Sequence, residues 1–265
     1  GRGLSTCLVE QDDLAAHTSS ASTKLIHGGL RYLEHGELRL VREALSERER
    51  LLGIAPHIVR PMRFVLPYVN GLRPRWLLRL GLFVYDHVGG REKLAASEAT
   101  RLAGTPLGAP LREELADGFE YSDCWVEDSR LVVLNAMDAA AHGASVHTRT
   151  RLLSARPTAG GWTATLEDRA TGATRAARAR MLVNAGGAWV NELLDRIEVT
   201  PRQRLRLVKG SHLVLRRQFD GDHAYLLQSP DRRVIFAIPH EGDFTLVGTT
   251  DVPFDADPSV VRIDD

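Results

Sequence analysis

The chain has 265 residues, 43% of them hydrophobic, enough to bury a substantial core in one large domain or two modest ones. Lys and Arg total 34, as do Asp and Glu, so the formal charge is zero and there is no general pull toward nucleic acid; any anion site has to be local. Two cysteines, Cys7 and Cys124, exclude a disulfide framework and suit a reducing, cytoplasmic setting, and neither a membrane-spanning apolar run nor a signal-peptide pattern is visible.

Taken in chain order, Cys7 to Val9 is a short apolar run closing on Glu10, the pattern of a buried parallel strand. Residues 18–37, TSSASTKLIHGGLRYLEHGE, then gather hydroxyls, Lys24, His27 and a Gly28-Gly29 pair, none of which builds a core. Leu38, Val41, Leu45 and Leu52 recur at near-helical spacing and predict a helix over 38–52 with SERER facing water. RPMRFVLPY reads as a strand punctuated by Pro61 and Pro67. PRWLLRLGLFVYDHVGG (74–90) predicts a helix opened by proline and stopped by Gly89-Gly90. Arg73, Arg75 and Arg79 beside Trp76 and leucines suit either an interfacial helix or a buried cap helix.

FEYSDCWVED (119–128) alternates as a strand does, and DSRLVVLNAMDAAAHG predicts a helix with an Asp128/Ser129 cap and Gly143 at its end. Three strands are expected next: SVHTRTRLLSA, WTATLED and, after the turn RATGAT, the apolar run RARMLVNAGGAWV. A helix from Trp189 to about Ile197 precedes further strands in RLRLVKGSHLVL, AYLLQS, RVIFAIPH and FTLVGTT. The order is an α/β part interleaved with a strand-rich part, without repeats. The opening without an initiator methionine and the close on SVVRIDD predict a piece of a larger protein.

Four stretches offer chemistry. Glu10 ends a strand, where a dinucleotide-binding unit keeps the carboxylate that binds ribose hydroxyls; alone, it reads equally as a solvated acid. The hydroxyls and glycines of 18–29 allow close backbone approach and donate to ring or phosphate oxygens, where the bland alternative is a polar loop with a cap. MLVNAGGAWV is a strand running into a backbone-approach corner, or simply a tight turn. Lys209 and His212 of VKGSHLVL offer acid–base chemistry near neutral pH, though a lone histidine is more often packed or solvated. No metal site is expected.

In this order the stretches LVEQDDLAAHTSSASTKLIHGGLRYLEHGELRLVREALSERERLL, APHIVRPMRFVLPY, VNAGGAWV, KGSHLVL and GTTDVPF resemble the flavin-dependent, quinone-linked glycerol-3-phosphate dehydrogenases, over most of the chain but thinly between about 70 and 118. The resemblance implies a Rossmann-like FAD-binding domain with an interleaved antiparallel β-sheet substrate domain, of the D-amino-acid-oxidase-like kind, divided as 1–66 with 123–198 and 67–122 with 199–265. It implies oxidation of sn-glycerol 3-phosphate to dihydroxyacetone phosphate, hydride moving from C2 to flavin N5 and electrons on to quinone at the cytoplasmic face of a membrane. It places Glu10 on the FAD ribose, Ser19, Ser20, Ser22, Lys24, Leu25, His27, Gly28 and Gly29 along the cofactor, and Ala185, Gly186 and Gly187 against it. Arg31, Tyr32 and His212 match substrate-facing positions. The glycine-rich turn expected ahead of Glu10 and the further basic residues of the family's C-terminal part are not matched here. The nearest alternatives are another flavin oxidase of this fold acting on an amine or hydroxy acid, and a cofactor-free fragment.

Overall fold

A computed structural model describes residues 2–229, 231 and 233–263. In chain order, β1 (Cys7–Val9) leads through a 3-10 turn (His17–Ser20) to β2 (Leu25–Ile26), a second 3-10 turn (Leu30–His35) and α1 (Leu38–Ile54). There follow β3 (Val59–Pro67), α2 (Arg75–Val88), β4 (Glu98–Arg101), β5 (Asp117–Val126) and α3 (Asp128–Ala141). Strands β6 (Ser145–His147), β7 (Thr150–Thr158), β8 (Gly161–Asp168) and β9 (Thr174–Ala179) precede α4 (Val190–Arg196). The remainder is β10 (Val208–Lys209), β11 (His212–Arg216), β12 (Ala224–Gln228), β13 (Val234–His240), β14 (Phe244–Gly248) and β15 (Val252–Pro253).

Contacts divide the chain into two units. The first comprises Gly1–Ala21, Asp128–Lys209 and Val252–Asp265; the second comprises Ser22–Glu127 and Gly210–Asp251. In unit 1, β1 and β6 pair in parallel, β7, β8 and β9 form an antiparallel meander, and β10 pairs with β15. Ala155, Leu166 and Ile197 are the buried apolar side chains of this unit among the described residues.

Unit 2 is built on an eight-stranded sheet in the order β11-β14-β13-β12-β3-β5-β2, with β4 added to β5. Residues 22–66 group with 67–127 and 210–251, since β3 pairs along its whole length with β5 and also meets β12. The central β3 tolerates two prolines because β12 pairs with it only at Phe64 and Val65; Pro61 and Pro67 lie where no second neighbour needs their missing N–H. Val41 and Leu45 of α1 and Leu82 and Tyr85 of α2 pack with Phe64, Phe119 and Tyr121 in one core. Each such side chain contributes about 1.5–3 kcal/mol by leaving water.

Two local expectations are corrected. SERER does not face water throughout: Arg48 is 2% exposed, because positions 41, 45, 48 and 52 form one helical stripe. The third strand expected through RARMLVNAGGAWV stops at Ala179. Met181 and Val183 are 75% and 73% exposed, and no described strand lies beside them to take their backbone hydrogen bonds. Among the described residues, no helix is long and apolar enough to cross a membrane.

Candidate functional site

In unit 1, Glu10 stands directly after β1, its N–H donated to the His147 carbonyl at 2.8 Å and its Oε1 accepting the Asp12 N–H at 2.9 Å. Beyond it, Asp12 is gripped by His17 at 3.0 Å and by Arg169, contacts that hold its carboxyl below the usual carboxylate range. Ser19 and Ser20 sit exposed on the 3-10 turn His17–Ser20, with the Ser20 hydroxyl donating to the His17 carbonyl at 3.2 Å. A groove of about 680 Å³ runs past this turn and is lined by Asp13, Leu14, Ser20, Arg130, Val133 and Met137, among others.

The Asn-Ala-Gly-Gly corner belongs to the same unit. Asn184 braces it, its Oδ1 accepting the Gly186 N–H at 3.1 Å and its Nδ2 donating to the Val190 carbonyl at 3.0 Å. Ala185 and Gly187 are exposed, and a Cβ on Gly187 would enter open space, so the backbone there is accessible to a ligand.

In unit 2, the Ser22 hydroxyl accepts the Lys24 N–H at 2.9 Å, and the Lys24 carbonyl accepts from Val126 N–H at 2.9 Å. Leu25 and Ile26 add to the sheet opposite Trp125 and Cys124. His27 is exposed, its ring edge-on to Phe236 at 6.1 Å, whereas Gly28 and Gly29 are buried. The Gly28 N–H donates to the Tyr85 hydroxyl at 2.7 Å. A Cβ on Gly28 would lie 2.6 Å from Leu45 and 2.9 Å from Tyr85, and Gly29 is left-handed at φ 69°. Arg31 and Tyr32 follow on the turn Leu30–His35, both exposed.

The fold brings a distant residue to this stretch. The Nε2 of His212, on β11, lies 3.0 Å from the Thr23 hydroxyl, 189 positions away in sequence. Its ring covers Gly248, where a Cβ would stand 2.5 Å from the imidazole. Burial, and next the charge of Lys24, hold the His212 pKa below the ordinary imidazole value. The lowered pKa favours the neutral imidazole.

The sequence reading passed over Thr23, Tyr85, Asp123 and Arg48. The last two form a buried ion pair at 2.6 Å, Arg48 Nη1 to Asp123 Oδ1. Helical spacing alone places Arg48 on the core face of α1, a signal present in the sequence. Among the described residues, no group of three or more His, Cys, Asp or Glu side chains is arranged to hold a metal ion.

Within unit 1, a strand-end carboxylate, exposed serine hydroxyls and open backbone at the glycine corner are the kinds of groups that suit a dinucleotide cofactor, on a mixed α/β fold of the class that carries such cofactors. The chain matches the DAO family, FAD dependent oxidoreductase, over residues 1–265, and it belongs to that family.

It is similar to a glycerol-3-phosphate dehydrogenase of Pseudomonas aeruginosa, 57% identical over 264 residues, 99% of this chain and 51% of that protein. It is also similar to a D-erythritol 1-phosphate dehydrogenase of Brucella abortus, 52% identical over 266 residues, 100% of this chain and 53% of that protein. Among solved structures it resembles the glycerol-3-phosphate dehydrogenase of Bacillus halodurans complexed with FAD, with a TM-score of 0.68 and 27% identity, over 99% of this chain and 45% of that one. The chain spans about half the length of the curated relatives it matches. The expected Rossmann-like, D-amino-acid-oxidase-like fold class is the fold of this family.

Proposed function

We propose that the protein oxidises sn-glycerol 3-phosphate to dihydroxyacetone phosphate with FAD as cofactor and quinone as the final electron acceptor. One observation supports this reading: His212 of β11 lies 3.0 Å from Thr23, in the hydroxyl-rich stretch that leads to Gly28-Gly29 and Arg31. On this reading Glu10 holds the FAD ribose, and Ser19, Ser20, Ser22, Lys24, Leu25, His27, Gly28, Gly29 and Ala185 to Gly187 line the cofactor. FAD, when bound, supplies the acceptor for the hydride leaving C2. Arg31 offers the substrate phosphate a planar fork of donors, and Tyr32 adds a hydroxyl beside it. His212 takes the proton of the C2 hydroxyl, so that the carbon loses a hydride and the oxygen a proton in forming the ketone. The Thr23 hydroxyl, 3.0 Å from Nε2, orients the imidazole for that step.

Arg31→Ala is expected to raise KM for glycerol 3-phosphate by about 100-fold while flavin content stays at one per chain, since a charge-assisted fork on phosphate is lost. Steady-state kinetics with flavin absorbance measures both. Loss of flavin with unchanged kinetics per bound flavin reassigns Arg31 to the cofactor.

A second substrate of the same chemistry is favoured by the 52% identity to the D-erythritol 1-phosphate dehydrogenase. The ratio of kcat/KM for the two polyol phosphates decides between them, and turnover of amines in place of both would sink the phosphate reading.

The outer face of α2 suits a membrane surface, where quinone resides. Trp76, Leu80 and Phe83 form an exposed apolar stripe, Trp76 being 67% exposed. The arginines of this stretch have protein partners: Arg73 with Glu34 at 2.6 Å, Arg75 with Asp117 at 3.5 Å and Arg79 with the Ser97 hydroxyl at 3.1 Å. The apolar stripe, not the arginines, is therefore the part to test. Trp76→Ser/Phe83→Ser is expected to cut pelleting with anionic liposomes about tenfold. Undiminished pelleting removes the membrane role.

A further inference from the structure

Gly28 is buried, and β2 ends at Ile26, so the sheet ladder does not take the Gly28 N–H. That donor needs an acceptor inside the core, and the Tyr85 hydroxyl of α2 provides it at 2.7 Å. A buried hydroxyl that accepts still has a proton to place, and Tyr85 donates it between the two oxygens of Asp123, 2.9 Å from each. The Asp123 carboxylate in turn needs a cation in a site 2% exposed. Arg48 of α1 supplies it at 2.6 Å and also donates to the Ser122 carbonyl at 3.1 Å. Each link thus answers a demand set by the one before it, from the buried Gly28 amide to the Arg48 guanidinium.

Such a chain is not the most stable way to fill this volume. Apolar side chains of similar size would hold α1 and α2 on the sheet at least as well, because the desolvation of a buried ion pair offsets its attraction. Arg48 Nε remains without a hydrogen-bond partner, a further cost. What an apolar core could not supply is the acceptor for Gly28. The turn itself admits no substitute: Gly28 has no room for a Cβ between Leu45 and Tyr85, and the ring of Tyr32 packs over Gly29.

We propose that Tyr85, Asp123 and Arg48 are positioning residues, a buried clamp that fixes the Gly28-Gly29 turn and through it the presentation of His27, Arg31 and Tyr32. The clamp deepens the reading given above and rests on it for the roles of Arg31 and Tyr32. All three are buried at 2% exposure, and they act through the backbone of the turn.

The test is Tyr85→Phe in the FAD-loaded holoenzyme, read by amide hydrogen exchange over residues 26–33 and by steady-state kinetics. Loss of the acceptor is expected to speed exchange at Gly28 at least about tenfold and to raise KM for glycerol 3-phosphate about tenfold, with kcat within about twofold and the visible flavin spectrum retained. Should that variant fail to accumulate, Arg48→Met/Asp123→Asn, which removes the charge behind Tyr85 without leaving a lone buried cation, is expected to move both readouts the same way. Unchanged exchange at Gly28 overturns the clamp, as does a lower melting temperature with exchange and KM unmoved. If the wild-type enzyme does not oxidise a polyol phosphate, the functional reading fails, and the exchange measurement still decides the clamp.

Discussion

Replacing His212 by asparagine is expected to lower kcat roughly 10²- to 10⁴-fold, the usual contribution of a positioned general base. Asparagine keeps a polar group within reach of Thr23, so the strand pairing of β11 with β14 and the packing over Gly248 are preserved while the basic nitrogen is lost. The pH profile adds a second reading of the same residue. Burial and the neighbouring Lys24 charge hold the His212 pKa below 6.5, so the basic, neutral form persists through neutral pH. Activity therefore falls only as pH drops through that lowered value, and the acid limb of kcat/KM lies below the ordinary imidazole range. The asparagine variant is expected to lose this limb. A variant that keeps both its rate and its acid limb would place proton transfer on another group.

Asp123→Ala is expected to destabilise the protein by about 3–5 kcal/mol, because it leaves the Arg48 cation buried without its carboxylate. Against a total stability of about 5–15 kcal/mol, this is enough to unfold a marginal domain. Burial pushes the Asp123 pKa up, and Arg48, 2.6 Å away, is the first of the groups that draw it back. The double variant Arg48→Met/Asp123→Asn removes the charge and retains an acceptor for Tyr85. It is expected to recover at least about half of the loss, since deleting both members of a buried pair costs far less than deleting one. Urea midpoints of the two variants measure this. Costs that simply grow from the single to the double variant would show that Arg48 and Asp123 do not act as a pair.

Much of unit 2 was legible along the chain, for reasons that are local. Leu38 to Leu52 spaced near 3.6 residues marked α1, Pro74 and Gly89-Gly90 bounded α2, and the run after Ile58 marked β3. Local patterns failed where the outcome depends on a neighbour. The apolar run Met181 to Val183 has the composition of a strand, yet a strand exists only when another backbone takes its hydrogen bonds. SERER has the composition of a solvated face, yet Arg48 lies on the stripe of Val41 and Leu45 and finds Asp123 in the core.

The candidate site divides in the same way. Glu10 at a strand end, the exposed serines of the His17–Ser20 turn and the glycine corner were readable as residue types in order, as was membership of the FAD dependent oxidoreductase family. Thr23 and Tyr85 drew no notice, because their importance lies in what they touch. The sequence by itself determined where the chain turns, which segments are helical or extended, and which chemical groups are available. Only the tertiary structure decided that His212 meets Thr23 and that the Gly28 amide ends on a buried ion pair. The reason is energetic: periodicity is set by neighbours a few residues apart, whereas burying a polar group is tolerable only when a partner arrives from a distant strand or helix to offset its desolvation.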